Sequence, residues 1–241
     1  MIAQSFFSQI VVLNRNDHRA MKVKLPGKDY RFSATSMTVP VVLSEFFDLA
    51  VDFPILLASD GNGSLSPMAL LGLKAGQNVF VDAAGQWTAA YLPAAVRAYP
   101  FGIVESETEK GLWFSVLEKT CLDETEGVAL FDEKGESGPE LQRANSLSMA
   151  FETDRAKTAA LVAHLQELKL IKETTLQLVP ESAEPISING CHVIDEAAFG
   201  ALPAEAVESL HTKGHLGACY ALLLSLRNVQ KLLKKSLAVS P

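Results

Sequence analysis

At 241 residues with 48% hydrophobic content, the chain is long enough to bury a substantial core, as one large domain or two small ones. Its formal net charge of −7 and the scatter of its lysines and arginines outside the C-terminus exclude a broad phosphate-neutralising face, so nucleic acid is not an expected partner. The longest uncharged apolar run, Leu216 to Leu226, falls well short of the ~20 residues that a helix needs to cross a bilayer, and it is expected to be a core helix.

Ser5 to Leu13 is apolar, but no Lys or Arg precedes it and no small-residue cleavage site follows, so a signal peptide is not expected. The three cysteines, Cys121, Cys191 and Cys219, are far apart and lack metal-ribbon or redox spacing. That usage fits a reducing compartment, and the expected location is cytoplasmic with no cofactor.

In chain order, short apolar or alternating runs predict strands at Ile10 to Asn14, Ala20 to Leu25, Ile55 to Ala58, Met68 to Leu73, Asn78 to Val81 and Leu112 to Leu117. Asp60-Gly61-Asn62-Gly63 and Asp82-Ala83-Ala84-Gly85 are the clearest turns among them. A helix is expected from Ser44 as N-cap, and another at Ala94 to Ala98 after Pro93, with Pro54 and Pro100 as stops. No internal repeat is evident. Gly138-Pro139 opens a long amphipathic helix to about Lys169, with Leu147, Phe151, Leu161, Leu165 and Leu168 on one side and Glu152, Arg155, Lys157 and Glu167 on others. Thr174 to Val179 and Ile186 to Ile188 read as strands, and Asn189-Gly190 as a turn before Cys191 to Ile194. One helix runs from Leu202-Pro203 to near Gly214, and a final helix from about His215 to Leu237 carries the stripe Cys219, Leu222, Leu226, Val229 and Leu233. The expected class is α+β: a short-stranded, mostly antiparallel sheet in the N-terminal half, packed with a long helix and a C-terminal helical region. The expectation is a single domain over 1–241, with a subdivision near 137 into strand-rich 1–137 and helix-rich 138–241.

The stretch from Asn78 to Phe101 concentrates aromatics, prolines and one arginine. Trp87, Tyr91, Arg97 and Tyr99 suit a recognition surface, since flat amphipathic side chains give contact area for little entropy; the same residues also suit anchoring a helix to a sheet. Asp123 and Glu124 are candidates for acid/base work if desolvated, or else part of a solvated loop. Cys121 beside these acids is a poor nucleophile candidate. His211, His215 and Cys219 recur at four-residue intervals, but Gly214 breaks the helix between the histidines, and with Cys191, His192 and Asp195 nothing local gathers a metal site, so none is assigned. Arg227, Lys231, Lys234 and Lys235 form a basic face on the last helix, suited to peripheral contact with an anionic surface or to solvation. No GxGxxG, P-loop, HExxH, GxSxG or CxxC motif is present.

Val39-Pro40, Glu45-Phe46, Phe53-Pro54-Ile55, Ala69 to Leu73, Asn78 to Asp82, Gly85, Trp87, Tyr91, Pro93, Arg97 and Tyr99-Pro100-Phe101, followed by Cys121, Asp123, Glu124, Leu130-Phe131, Gly135, Ser225 and Asn228, resemble the signature of the bacterial SapC family over most of the chain. The run from Gly72 to Phe101 is its most specific part. Members often carry a histidine where this chain has Leu222. The resemblance implies association with surface-layer gene clusters, outer-membrane receptors and halogenase-like proteins, and a loosely described transport or secretion role. It does not extend to the peptide-transporter permease of the same name, which needs several spans.

The functional expectation is therefore a soluble, non-enzymatic accessory protein that binds a peptide, protein or small-molecule ligand through Trp87 to Phe101, in a transport, secretion or uptake setting. The alternative is an enzyme using an acidic cleft at Asp123 and Glu124, with a metal near His192.

Overall fold

The computed structural model describes residues 6–180 and 184–239; Ser5, the first residue of the apolar N-terminal run, lies outside them. The class is α+β. A five-stranded antiparallel sheet has the order β10-β11-β4-β5-β3, built from β3 (Thr38–Pro40), β4 (Ile55–Ser59), β5 (Leu65–Leu70), β10 (Ile171–Leu178) and β11 (Ile186–Ile194). A second sheet joins β1 (Ile10–Val12), β7 (Trp113–Glu118) and β6 (Phe101–Glu105), and a small third one β8 (Leu122–Asp123), β2 (Lys22–Val23) and β9 (Val128–Ala129). No helix among the described residues is long and apolar enough to cross a membrane.

Two hydrophobic clusters result. The larger is built on the five-stranded sheet, with Phe46, Phe53, Phe80, Leu161, Leu165 and Leu232 among its buried members. The smaller gathers Leu13, Val23, Phe101, Leu117, Leu130, Phe131, Leu141 and Ala144. Helix α3 (Pro139–Glu167) serves both, placing Leu141 and Ala144 in the small cluster and Leu161 and Leu165 in the large one. Its 29 residues reach about 43 Å at ~1.5 Å per residue, enough to span the two.

The middle of α3 departs from the expected amphipathic stripe. Glu152 is buried there and paired to Arg155 at 2.5 Å, while Leu147 and Phe151 are only half-buried. Thr158 Oγ1 accepts from the Leu43 amide at 2.8 Å, and Asp154 Oδ2 from the Ser44 amide at 2.8 Å. These bonds fix the start of the short helix α1 (Phe46–Leu49). Ser44 is thus not an N-cap; the preceding turn is closed by the Glu45 carboxylate, which accepts from the Val42 amide at 3.3 Å.

Three of the connections are one device. In Asp60–Ser64, Asp82–Gln86 and Asp132–Glu136, the aspartate amide donates to the carbonyl four residues on, and its Oδ1 accepts from the amides two and four residues ahead. The fourth residue, Gly63, Gly85 or Gly135, sits at a φ of 91°, 81° or 83°, which a side chain would strain. Asn78 to Val81 is accordingly no strand but the approach to such a turn, with an isolated bridge from Val81 to Trp87.

Asn189-Gly190, expected as a turn, lies inside β11: both residues face the single Thr175 of β10 in a bulge, with Gly190 at φ 69°. After β11 come α4 (Glu196–Gly200), capped by Asp195, and α5 (Ala204–Thr212). The final helix expected from His215 to Leu237 is two, α6 (Leu216–Ser225) and α7 (Asn228–Val239). At the break, Ser225 Oγ donates to the Leu222 carbonyl at 2.6 Å and accepts from the Ile55 amide at 3.0 Å. Asn228 Nδ2 donates to the carbonyls of Ala50 (2.7 Å) and Phe53 (3.4 Å). All of these groups are buried. Ser225→Ala leaves the Ile55 amide unpaired in the core and is expected to lower stability by about 1–3 kcal/mol in urea unfolding, with little change in m.

His164 of α3 meets His215, which precedes α6, at 3.0 Å between Nδ1 atoms, both rings buried. At least one imidazole must be neutral for that bond to exist. Burial holds His164 below the usual imidazole value near 6.5, with Lys213 adding to the effect and Glu167 opposing it. His215 is lowered by burial, then by His164 and Lys213. The native state therefore binds fewer protons than the unfolded chain, so this stabilisation is present above about pH 6.5 and lost as the pH falls through the folded values. Between about pH 7.5 and about pH 5 the urea midpoint should fall, and a His164→Leu/His215→Leu variant should show a shallower fall over the same interval.

Candidate binding groove

The aromatic residues of the Trp87–Phe101 stretch are packed against the fold's interior. Trp87 is half-buried, its ring centroid 6.0 Å from Tyr30, 6.1 Å from Phe53 and 6.0 Å from Phe80, and its Nε1 donates to the Tyr91 carbonyl at 2.8 Å. Tyr91 donates its hydroxyl to Glu45 Oε1 at 3.0 Å, and the Ala94 amide donates to the same oxygen at 2.7 Å. Arg97 lies 5.5 Å from the Tyr91 ring centroid and donates to its hydroxyl at 3.2 Å. Burial raises the Glu45 carboxyl above its ordinary value, opposed by the bonds from Ala94, Val42 and Tyr91 and by the charge of Arg97. Burial, then the Glu45 charge, pushes the Tyr91 phenol up, so it stays a donor. Tyr99 stacks on Phe32 at 3.9 Å and its hydroxyl lies 3.8 Å from Cys121 Sγ.

Trp87 and Arg97 thus converge on Tyr91, which in turn bonds Glu45, while Asp123 and Glu124 lie apart, at β8 and the turn after it. No hydrogen bond or ring contact joins either acid to Trp87, Tyr91 or Arg97 among the described residues. Asp123 accepts from Lys24 Nζ at 2.7 Å and from the amides of Thr125 and Glu126 at 2.8 Å each. The Lys24 bond, then those two amides, hold its carboxyl well below the usual carboxylate range, which suits a fixed charge better than a proton shuttle. Glu124 is exposed. Among the described residues no group of three or more His, Cys, Asp or Glu is placed to hold a metal ion. His192 faces Leu57 across β11 and β4, and its buried Nδ1 has no hydrogen-bond partner among the described residues. Of the basic C-terminal residues, Lys231 donates to the Val51 carbonyl at 3.1 Å and Lys235 lies 5.5 Å from the Phe80 ring centroid.

A groove of about 920 Å³ opens elsewhere, between the β10–β11 edge of the large sheet and helices α4 to α6. It is lined by Val193 and Ile194 of β11, Phe199 of α4, Leu202, Val207 of α5, and Leu216, Tyr220, Leu223 and Leu224 of α6, with Lys172, Glu196 and Arg227 as charged members. Its volume falls in the range of ligand sites, about 300–1,000 Å³. Tyr220 is 59% exposed and Leu224 52%, and Tyr220 meets Phe199 edge to face at 5.3 Å. The apolar surface continues past α6: Phe47, 65% exposed, lies close to Gly217, and Val51, 57% exposed, follows just after α1. Contiguous exposed apolar surface of this kind marks interaction sites.

The sequence carried a partial signal for this groove. Leu216 to Leu226 is apolar all round, whereas a helix with one core face shows a polar opposite side. Tyr220 and Leu224 sit outside the Cys219–Leu233 stripe and are the residues left facing outward.

The model of one protein family, SapC, matches residues 13–232, nearly the whole chain. The chain belongs to the SapC family. No curated protein and no solved structure matches it. Among the SapC signature residues quoted above, Glu45, Trp87, Tyr91, Ser225 and Asn228 all make buried or half-buried structural bonds. In this SapC chain, Glu45→Ala strands the Ala94 amide and Tyr91 hydroxyl and is expected to cost about 2–3 kcal/mol of stability. Arg97→Ala, at an exposed cation, is expected to cost under about 1 kcal/mol. Chemical denaturation of the two variants checks the contrast.

Proposed function

We propose that this SapC-family protein is a ligand-binding accessory protein whose groove along α6 takes an extended, partly apolar peptide or a small ligand of similar shape. The observation that carries this reading is the exposure of Tyr220 and Leu224 along a concave apolar surface. The charged members Lys172, Glu196 and Arg227 supply polar groups that orient a ligand, while the aliphatic lining and the Phe199–Tyr220 pair supply area. The transport, secretion or uptake setting implied by the family belongs to the same proposal; binding through Trp87 to Phe101, where exposed Arg97 is the accessible part, is the alternative reading.

Selection of a displayed peptide library on the wild-type protein, followed by titration, tests the groove. Enriched peptides should carry apolar side chains, and Leu224→Arg should weaken them at least about tenfold, roughly 1.4 kcal/mol. Equal affinity for the wild type and a folded Leu224→Arg variant would rule the groove out, and loss on Arg97→Ala instead would return the site to the aromatic stretch.

A further inference from the structure

The His164–His215 pair has a third member. Ser209 Oγ, on α5, lies 3.2 Å from His164 Nε2, and His164 Nδ1 lies 3.0 Å from His215 Nδ1. A serine hydroxyl on one imidazole nitrogen and an orienting group on the other is the arrangement that activates serine for acyl transfer, and it recurs on unrelated folds with different third members. The two imidazoles are buried, whereas Ser209 is half-buried and faces a shallow cleft of about 300 Å³ lined also by Glu205, Glu208, Thr212 and Lys213. The nucleophile is thus at the surface and its base is shielded.

We propose that Ser209, His164 and His215 form a relay that hydrolyses small carboxylic esters in this cleft. Two tautomer sets satisfy the chain of contacts. In the reactive one His164 carries its proton on Nδ1, donates it to His215 Nδ1, and leaves Nε2 to accept from the Ser209 hydroxyl. Burial lowers both imidazoles, which keeps His164 unprotonated, as a base must be, at neutral pH.

Ser209 Oγ attacks the ester carbonyl carbon as its proton passes to His164 Nε2. The tetrahedral intermediate then expels the alkoxy group, which takes that proton and leaves as the alcohol. Water, deprotonated by the same nitrogen, attacks the acyl-serine; the carbon–Oγ bond breaks, Ser209 regains its proton and the carboxylic acid leaves. The sum is ester plus water to acid plus alcohol. Lys213, the cation in the cleft's lining, balances the oxyanion. Glu205 and Glu208 disfavour substrates that carry a carboxylate, so the fitting class is a small neutral or cationic ester. Ser209 and His164 are the catalytic residues; His215 is a positioning residue.

A fluorophosphonate probe, with p-nitrophenyl acetate as the turnover substrate, tests the relay on the full chain. The probe should label the intact protein on Ser209, located by peptide mass, at a rate that rises with pH as His164 loses its proton. Ser209→Ala, which keeps the helix, should abolish labelling. His164→Gln should slow it at least about a hundredfold. His215→Asn, whose amide oxygen still accepts from His164, should retain more labelling and a pH profile nearer the wild type than His215→Phe. Absence of Ser209 labelling in the folded wild type, or labelling and ester turnover undiminished in Ser209→Ala, overturns the proposal.

Discussion

The corner where α1 turns into β4 has backbone groups that its own elements do not use: the carbonyls of Ala50 and Phe53 and the amide of Ile55. Ser225 and Asn228 supply the partners from the other end of the chain. An unpaired amide or carbonyl in that core costs about 1–3 kcal/mol, comparable to the loss of a large apolar contact, so the C-terminal helix breaks where these two side chains need to reach. The break sets the direction of α6, and with it the groove wall formed by Tyr220, Leu223 and Leu224 and the positions of Leu226 and Arg227 at its end.

The same economy recurs across the molecule. Buried acids are satisfied by donors both near and far in sequence: Glu45 by Val42, Tyr91 and Ala94, and Glu118 by Ser8 and Thr120. Asp154 and Thr158 let α3 hold the start of α1, and the His164–His215 contact holds the far end of the same helix to the start of α6. One long helix can then serve two hydrophobic clusters because polar side chains, rather than an unbroken apolar stripe, connect its middle to the sheet side.

Much of the fold was legible in the sequence, since the α+β class, the α3 boundaries and most strands follow from periodicity, Gly138-Pro139 and the turn residues. What was missed is non-local. β3 is a three-residue edge strand ending in Pro40, a composition that argues against a strand until its partner β5 is in place. No glycine or proline marks the break after Ser225, because its cause sits some 170 residues away in sequence. The family resemblance pointed to Ser225 and Asn228 without giving the reason. In the candidate site, the aromatic stretch could be read for surface or core, and only the partners of Trp87 and Tyr91 decide how much of it is packed. The groove draws on β10, β11 and three helices, a juxtaposition that no local window contains.

The proposed recognition face of this chain lies along α6 rather than on the Trp87–Phe101 stretch. Site-specific photo-crosslinking tests it most directly, with a photoreactive phenylalanine derivative placed at Tyr220 in one preparation and at Arg97 in another, each mixed with a bound peptide. Both positions are exposed, so either preparation retains the fold. Adducts from position 220 and none from position 97 are the expected result. Adducts from position 97 alone would contradict it.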